Sequence, residues 1–223
     1  MAGRIVFRSK NEQIYDLLKT KILHGEIKPG EPMVIDTLAE ELGVSQIPIR
    51  EALRQLEATG FVHIEPYVGT RTTEIQASSI REIFALLETT EIVSGREACK
   101  LMTDADIDEV ERMIQAMANM LDDPDAWSEQ NKALHQYICQ KANMDIVGKV
   151  LMLALDHWDR LRRYYLEDVF AQRMNQRQNE HEKMLLALRQ RDPDELDHVI
   201  RTHNRESVQA YLAHLERIHA LET

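Results

Sequence analysis

Residues 36–65, DTLAEELGVSQIPIREALRQLEATGFVHIE, switch from helical to strand spacing inside one short span. Leu38, Ala39 and Leu42 fall on one side of a short helix that Asp36 or Thr37 is placed to cap and Gly43 ends. Ser45 caps the next predicted helix, from about Gln46 to Ala58, where Ile49, Leu53 and Leu56 recur at helical intervals. Pro48 lies in its first turn, where a missing N–H costs little. Gly60 then stops the chain. FVHIE and RTTEI alternate on either side of PYVG, which predicts a small hairpin. Upstream, a helix from about Lys10 to His24 carries Ile14, Leu17, Leu18 and Ile22 on one face. Helix, helix, tight turn, helix and hairpin are the outline of a winged helix-turn-helix over residues 1–75.

From Ser78 onward the spacing is helical throughout. Thr103 and Asp106 make a capping pair, LDDPDAW breaks the chain, and helices follow from about Ala126 to Ala142 and from Asp145 to about Glu167. Asp192, Pro193, Asp194 and Glu195 start a last helix that runs to about Leu221. The expected fold is mainly α: the winged helix-turn-helix, then an all-helical antiparallel bundle of about six helices over residues 76–223. No run approaches the roughly 18 apolar residues of a membrane span. The first residues lack a leader's apolar stretch, and Cys99 and Cys139 suggest no disulfide framework. A cytoplasmic protein with no membrane partner is expected.

The net charge of -11 argues at first against nucleic acid. The acidity is uneven: residues 1–75 carry nine Lys/Arg against eleven Asp/Glu, and most of the excess lies beyond them. DNA contact there must rest on a few well-placed groups. In a helix-turn-helix the second helix enters the major groove with its N-terminal residues at the base edges. Gln46, Ile47 and Arg50 hold those positions, with Arg54 a turn further on. Arginine suits guanine and glutamine suits adenine, and Ser45 at the helix start is placed for phosphate. The plain alternative is that Arg50 and Arg54 pair with Glu51, Glu57 or solvent.

The stretch IYDLLKTKILHGEIKPGEPMVIDTLAEELGVSQIPIREALRQLEATGFVHIEPYVGTRTTEI resembles the DNA-binding domain of the GntR family of bacterial transcription regulators. The helical remainder resembles the effector domain of its FadR subfamily, the FCD type. The resemblance implies a homodimer on double-stranded, palindromic operator DNA, with a small organic acid effector changing DNA affinity, and no enzyme activity. Family position puts Arg50 on DNA and Gly69 and Thr70 at the hairpin tip, near the minor groove. Where members commonly have arginine this chain has Gln46, so its operator sequence is expected to differ.

A lone histidine on a helix, such as His135, is most often a packed residue. The resemblance implies another role. The family's bundle often holds a divalent metal through an aspartate, a histidine four residues on, and two histidines on the last two helices. The matching residues here are Asn131, His135, His181 and His203. Asn131 and His135 share a helix face, and imidazoles suit zinc or nickel. Asn131 departs from the family's aspartate and brings no charge. With neutral ligands and no carboxylate, such an ion is expected to attract an anionic effector.

Arg160 and Tyr164 share a face of the following helix and are candidates for the effector pocket. Leu86 and Leu87 stand where the family often has a ligand-holding arginine. Cys139 reads as a core residue. Two rival readings remain. One is a sensor in which the ion itself is the signal. The other is a three-histidine metallohydrolase, but Glu129, Glu180 and Glu182 are turned aside from His135 and His181 by helical geometry.

Overall fold

The computed structural model describes residues 9–222, with side chains described to residue 217. The first residues, on which the expectation of no leader rests, lie outside these. The chain divides between Ile75 and Gln76 into two compact units.

The first unit holds α1 (Lys10–Leu23), α2 (Ile35–Glu41), α3 (Gln46–Ala58), β1 (Val62–Glu65) and β2 (Gly69–Thr72). Its core forms where Ile14, Leu18 and Ile22 of α1 meet Ile49, Leu53 and Leu56 of α3, with Phe61 fully buried below. Each such side chain contributes about 1.5–3 kcal/mol of burial. Leu17, read on the same apolar face, is 40% exposed. A capping box between Ser9 and Glu12 opens α1.

Three local expectations are corrected. α2 begins at Ile35, so Asp36 and Thr37 lie inside its first turn and no side chain caps it. Ser45 holds the N-cap position of α3 with extended backbone, but its hydroxyl makes no capping bond. The second strand is GTRT rather than RTTEI: Val62 pairs with Thr72 and Glu65 with Gly69. Continued in that register, Glu74 and Ile75 meet only Gly60 and the end of α3, so the ladder stops. Thr72 also anchors the strand, its hydroxyl donating to Lys28 O and accepting from Glu31 N at 3.0 Å.

The second unit begins with one 3₁₀ turn, Ala77–Ser79, and then α4 (Ile80–Leu101), α5 (Asp104–Ala118), α6 (Pro124–Lys141), α7 (Asp145–Tyr165), α8 (Glu167–Gln190) and α9 (Pro193–Glu222). Thr103 and Asp106 form the expected capping box at α5. Asp123 caps α6 through Ala126 N, and Asp192 accepts from the amides of Asp194 and Glu195 at the start of α9. α4 packs on α7, α9 and α6, while α8 packs on α5 and α9. α7 and α8 are joined through Leu166 alone, so the chain bends there instead of turning in a loop. Trp158 ties the layers together, its ring 5.0 Å from Phe84 and 4.7 Å from Tyr211. Gly95 lets α9 approach α4: a methyl group there would stand 3.0 Å from Leu196 and 3.2 Å from Ile200. Among the described residues no helix is long and apolar enough to cross a membrane.

Candidate functional site

In the first unit, Gln46 and Ile47 open α3 and Arg50 follows one turn on, all exposed. Arg50 Nη2 donates to Gln46 Oε1 at 3.0 Å, and Gln46 Nε2 donates to Asp36 of α2. These polar groups therefore hold one another across the two helices. Pairing of Arg50 with Glu57 is not seen, since Glu57 accepts from the amide of Ile64 at 3.0 Å and so docks the hairpin on α3. Ile47 is 71% exposed, an apolar group of the kind that meets a thymine methyl. Arg54 is exposed one turn beyond Arg50.

Gly69 and Thr70 are not at the hairpin tip. Both lie in β2, and the side chain of Thr70 is buried. The tip is Pro66–Val68, with Tyr67 fully exposed at φ 65° and Val68 66% exposed. Asp36, Gln46, Arg50, Gly69 and Arg71 line one open groove between α3 and the hairpin.

In the second unit, α6 supplies Asn131 and His135, α8 supplies His181 and α9 supplies His203. All four are buried, His181 completely. The ring centroids of His135 and His181 lie 5.6 Å apart, and those of His181 and His203 5.4 Å apart. Three rings on one tetrahedral ion, with metal–nitrogen bonds near 2.1 Å, have centroids about 5.4 Å apart. The two separations that involve His181 are therefore close to that value. The orientations do not suit an ion: among the described residues no three His, Cys, Asp or Glu side chains are grouped so as to hold one.

Both ring nitrogens of His181 and Oδ1 of Asn131 are buried without a hydrogen-bond partner. Each such orphan costs about 1–3 kcal/mol, and three in one place call for an explanation. A cation would satisfy all three atoms only if these side chains turned toward one point. Burial, with His203, His135 and Arg177 beside it, pushes the His181 pKa well below its usual value. Burial and the nearby Arg177 do the same at His203. Both shifts favour the neutral ring, the form that ligates.

Two carboxylates stand behind this cluster. Glu91 Oε1 of α4 lies 3.2 Å from His135 Nδ1, and Glu180 Oε2 lies 2.5 Å from His203 Nδ1. Each leaves Nε2 as the nitrogen for an ion, the carboxylate–histidine arrangement common behind metal ligands. Burial raises the Glu180 pKa, with Arg177, Gln176 and Arg173 opposing. The expectation of a site without carboxylates is thus corrected. Glu180 does turn aside from His181, its sequence neighbour, but only to reach His203 across to α9. Glu91 carried no signal in the sequence, because its meeting with His135 depends on how α4 packs on α6.

A cavity of about 20 Å³, room for about one water molecule, adjoins Glu91 and His135 between Ser94, Leu151, Met184 and Leu196. Arg160 and Tyr164 are not among its walls. They lie one turn apart, yet Arg160 is buried and Tyr164 is 38% exposed, so they do not share a pocket face. Leu87 is core and Leu86 is 46% exposed. Cys139 packs as a small core residue, its thiol donating to Met144 O at 3.6 Å.

The comparisons agree with this architecture. The family described as bacterial regulatory proteins, gntR family, matches residues 10–72, and the FCD domain matches residues 82–206. The HTH-type transcriptional repressor RspR of Escherichia coli K12 is 26% identical over 198 residues, covering 88% of this chain and 86% of the relative. The E. coli McbR regulator is 23% identical over 89% of this chain and 90% of its own length. The solved structure of E. coli McbR/YncC superposes with a TM-score of 0.78 at 20% identity, over 93% of this chain and 99% of that one. A Rhodococcus sp. RHA1 regulator gives 0.74 at 16% identity, over 92% and 99%. These relatives are regulators and not hydrolases, which removes the metallohydrolase reading. The chain belongs to the gntR family of bacterial transcription regulators, with an FCD domain as its C-terminal unit.

Proposed function

We propose that this protein is a repressor that binds a palindromic operator as a homodimer and is controlled by a small organic acid held at a metal site in the FCD domain. The single observation that carries the reading is His181, buried between His135 and His203 with neither ring nitrogen satisfied. His135, His181 and His203 would hold the ion through imidazole, with Asn131 offering a neutral oxygen. A bound zinc or nickel ion supplies a positive charge that draws a carboxylate into an open position. Glu91 and Glu180 orient His135 and His203 and lower the net charge of the site, so the acid is bound by ligation more than by long-range attraction.

In the DNA-binding unit, Gln46, Ile47 and Arg50 read base edges, Ser45 and Arg54 meet phosphate, and Tyr67 leads the hairpin. The Arg50–Gln46–Asp36 chain must open or re-aim to do so. Half-sites roughly 34 Å or less apart suit a compact dimer. Effector control requires different acid affinities in the two dimer arrangements, transmitted through residues 73–79. RspR bears the name of a repressor, which favours repression.

The rival is a regulator in which the ion alone is the signal. The test is operator affinity of the full-length protein, on DNA selected from a random library, titrated first with metal and then with carboxylic acids at fixed metal. A change that needs the acid supports the proposal. A complete response to zinc or nickel alone contradicts it.

A further inference from the structure

Asp36 puts a negative charge where a DNA-reading surface least favours one. It is exposed in the first turn of α2, yet its side chain does not cap that helix. It accepts instead from Gln46 Nε2 of α3, and Gln46 Oε1 in turn accepts from Arg50 Nη2 at 3.0 Å. All three side chains line the open groove between α3 and the hairpin. A carboxylate in that groove opposes DNA binding in general, because it faces phosphates of like charge.

What it does for the base readers follows from hydrogen-bond chemistry. A carboxylate only accepts, whereas a glutamine amide has a donor end and an acceptor end of nearly the same shape. Beside Asp36 the amide has one favourable sense, with its NH2 group toward the carboxylate. Turned over, Oε1 would stand against a charged oxygen. One N–H is then used by Asp36, which leaves the second N–H and Oε1. Together these are the donor and acceptor that match N7 and N6–H of adenine. Arg50 holds Oε1 in the free protein and has to leave it for a base of its own. An amide with no carboxylate beside it turns over freely and offers donor and acceptor in either order, so it discriminates less.

We propose that Asp36 is a positioning residue that sets specificity: from α2 it fixes the Gln46 amide in the sense that reads adenine, and it lowers affinity for DNA of any sequence. This rests on the reading of α3 as the helix that meets base edges. A merely structural role, in which the charge supports the first turn of α2, would change stability and leave base preference alone.

The test is selection of sites from a random duplex library by full-length protein, followed by fluorescence anisotropy on selected and scrambled duplexes. It compares the parent with Q46A, D36N and D36A. The parent should prefer adenine at one position of each half-site, and Q46A should lose that preference, which identifies the position. D36N keeps the size of Asp36 but both donates and accepts. Its adenine preference at that position should fall about fivefold or more, with the other positions unchanged. It should also hold scrambled DNA about two- to fivefold more tightly at low salt. D36A should behave alike. Unchanged adenine preference in both Asp36 variants would overturn the proposal and leave the DNA reading of α3 intact, as would a Q46A protein that selects the parent's site. Equal loss of preference at every position would also overturn it, since Asp36 would then only support the fold. A parent that enriches no site would overturn the DNA reading itself, and this inference with it.

Discussion

Glu91 holds two helices at once. Its Oε1 lies 3.2 Å from His135 Nδ1 on α6, and its Oε2 accepts from Asn204 Nδ2 on α9 at 2.8 Å. A carboxylate so placed fixes the imidazole tautomer and aims Nε2. E91Q keeps the volume and removes the charge. It is expected to weaken zinc or nickel binding about 10- to 100-fold, measured by competition with a chromogenic chelator. Unchanged affinity would mean that Glu91 only packs.

Asn131 separates metal-bound from metal-free stability. Its Oδ1 is buried with no partner. N131D adds a charge that, without an ion, has to be buried at a cost of several kcal/mol. With an ion, the same charge is a stronger ligand. The variant is expected to melt lower than the parent in chelator and to gain more than the parent on adding zinc. A gain equal to the parent's would place Asn131 outside the metal's reach.

Acid destabilisation is expected to pass through Asp159. Burial pushes this carboxyl up, but Lys132, Arg162 and Arg163 outweigh it and hold the pKa below its usual value. A depressed folded pKa gives stability that is complete above about pH 4 and is lost as the pH falls through the folded value. D159N leaves buried cations short of a partner and is expected to cost about 3–5 kcal/mol at neutral pH. The gap in melting temperature between parent and variant should narrow below about pH 4. A gap independent of pH down to acid denaturation would show that the pairs contribute no charge-dependent stability.

On DNA, R50A is expected to lose about 1–3 kcal/mol of discrimination at each half-site while leaving the fold unchanged, because Arg50 is exposed and, among the described residues, its hydrogen bond is to exposed Gln46. R54A is expected to weaken binding to all sequences alike and to flatten the salt dependence. Fluorescence anisotropy at several salt concentrations separates the two. Equal loss on cognate and scrambled DNA for R50A would reassign it from base to phosphate.

The helices were legible because their signals are local. The capping pair Thr103–Asp106 and the start at Asp192–Glu195 are written in adjacent residues, and both form as read. The hairpin was legible as a hairpin but not in its extent, because what ends β2 is the run-out of its partner at Gly60. Thr70 shows the consequence, since a two-residue difference moved it from the tip to a buried strand position. The histidine cluster follows from resemblance plus helix spacing, and the rings do come within 5.4–5.6 Å. The groups that surround it were not legible. Glu91 matters through what faces it from other helices, and a single sequence fixes no such register. Glu180 lay next to His181 in the chain, yet its partner is His203, 23 residues away on α9.

The most direct measurement is the metal content of untagged full-length protein, purified without chelator, beside the H135A variant. The account predicts about one zinc or nickel per chain in the parent and loss of it in the variant. A parent free of metal, or a variant that keeps it, would contradict the claim that His135, His181 and His203 form the centre on which effector control turns.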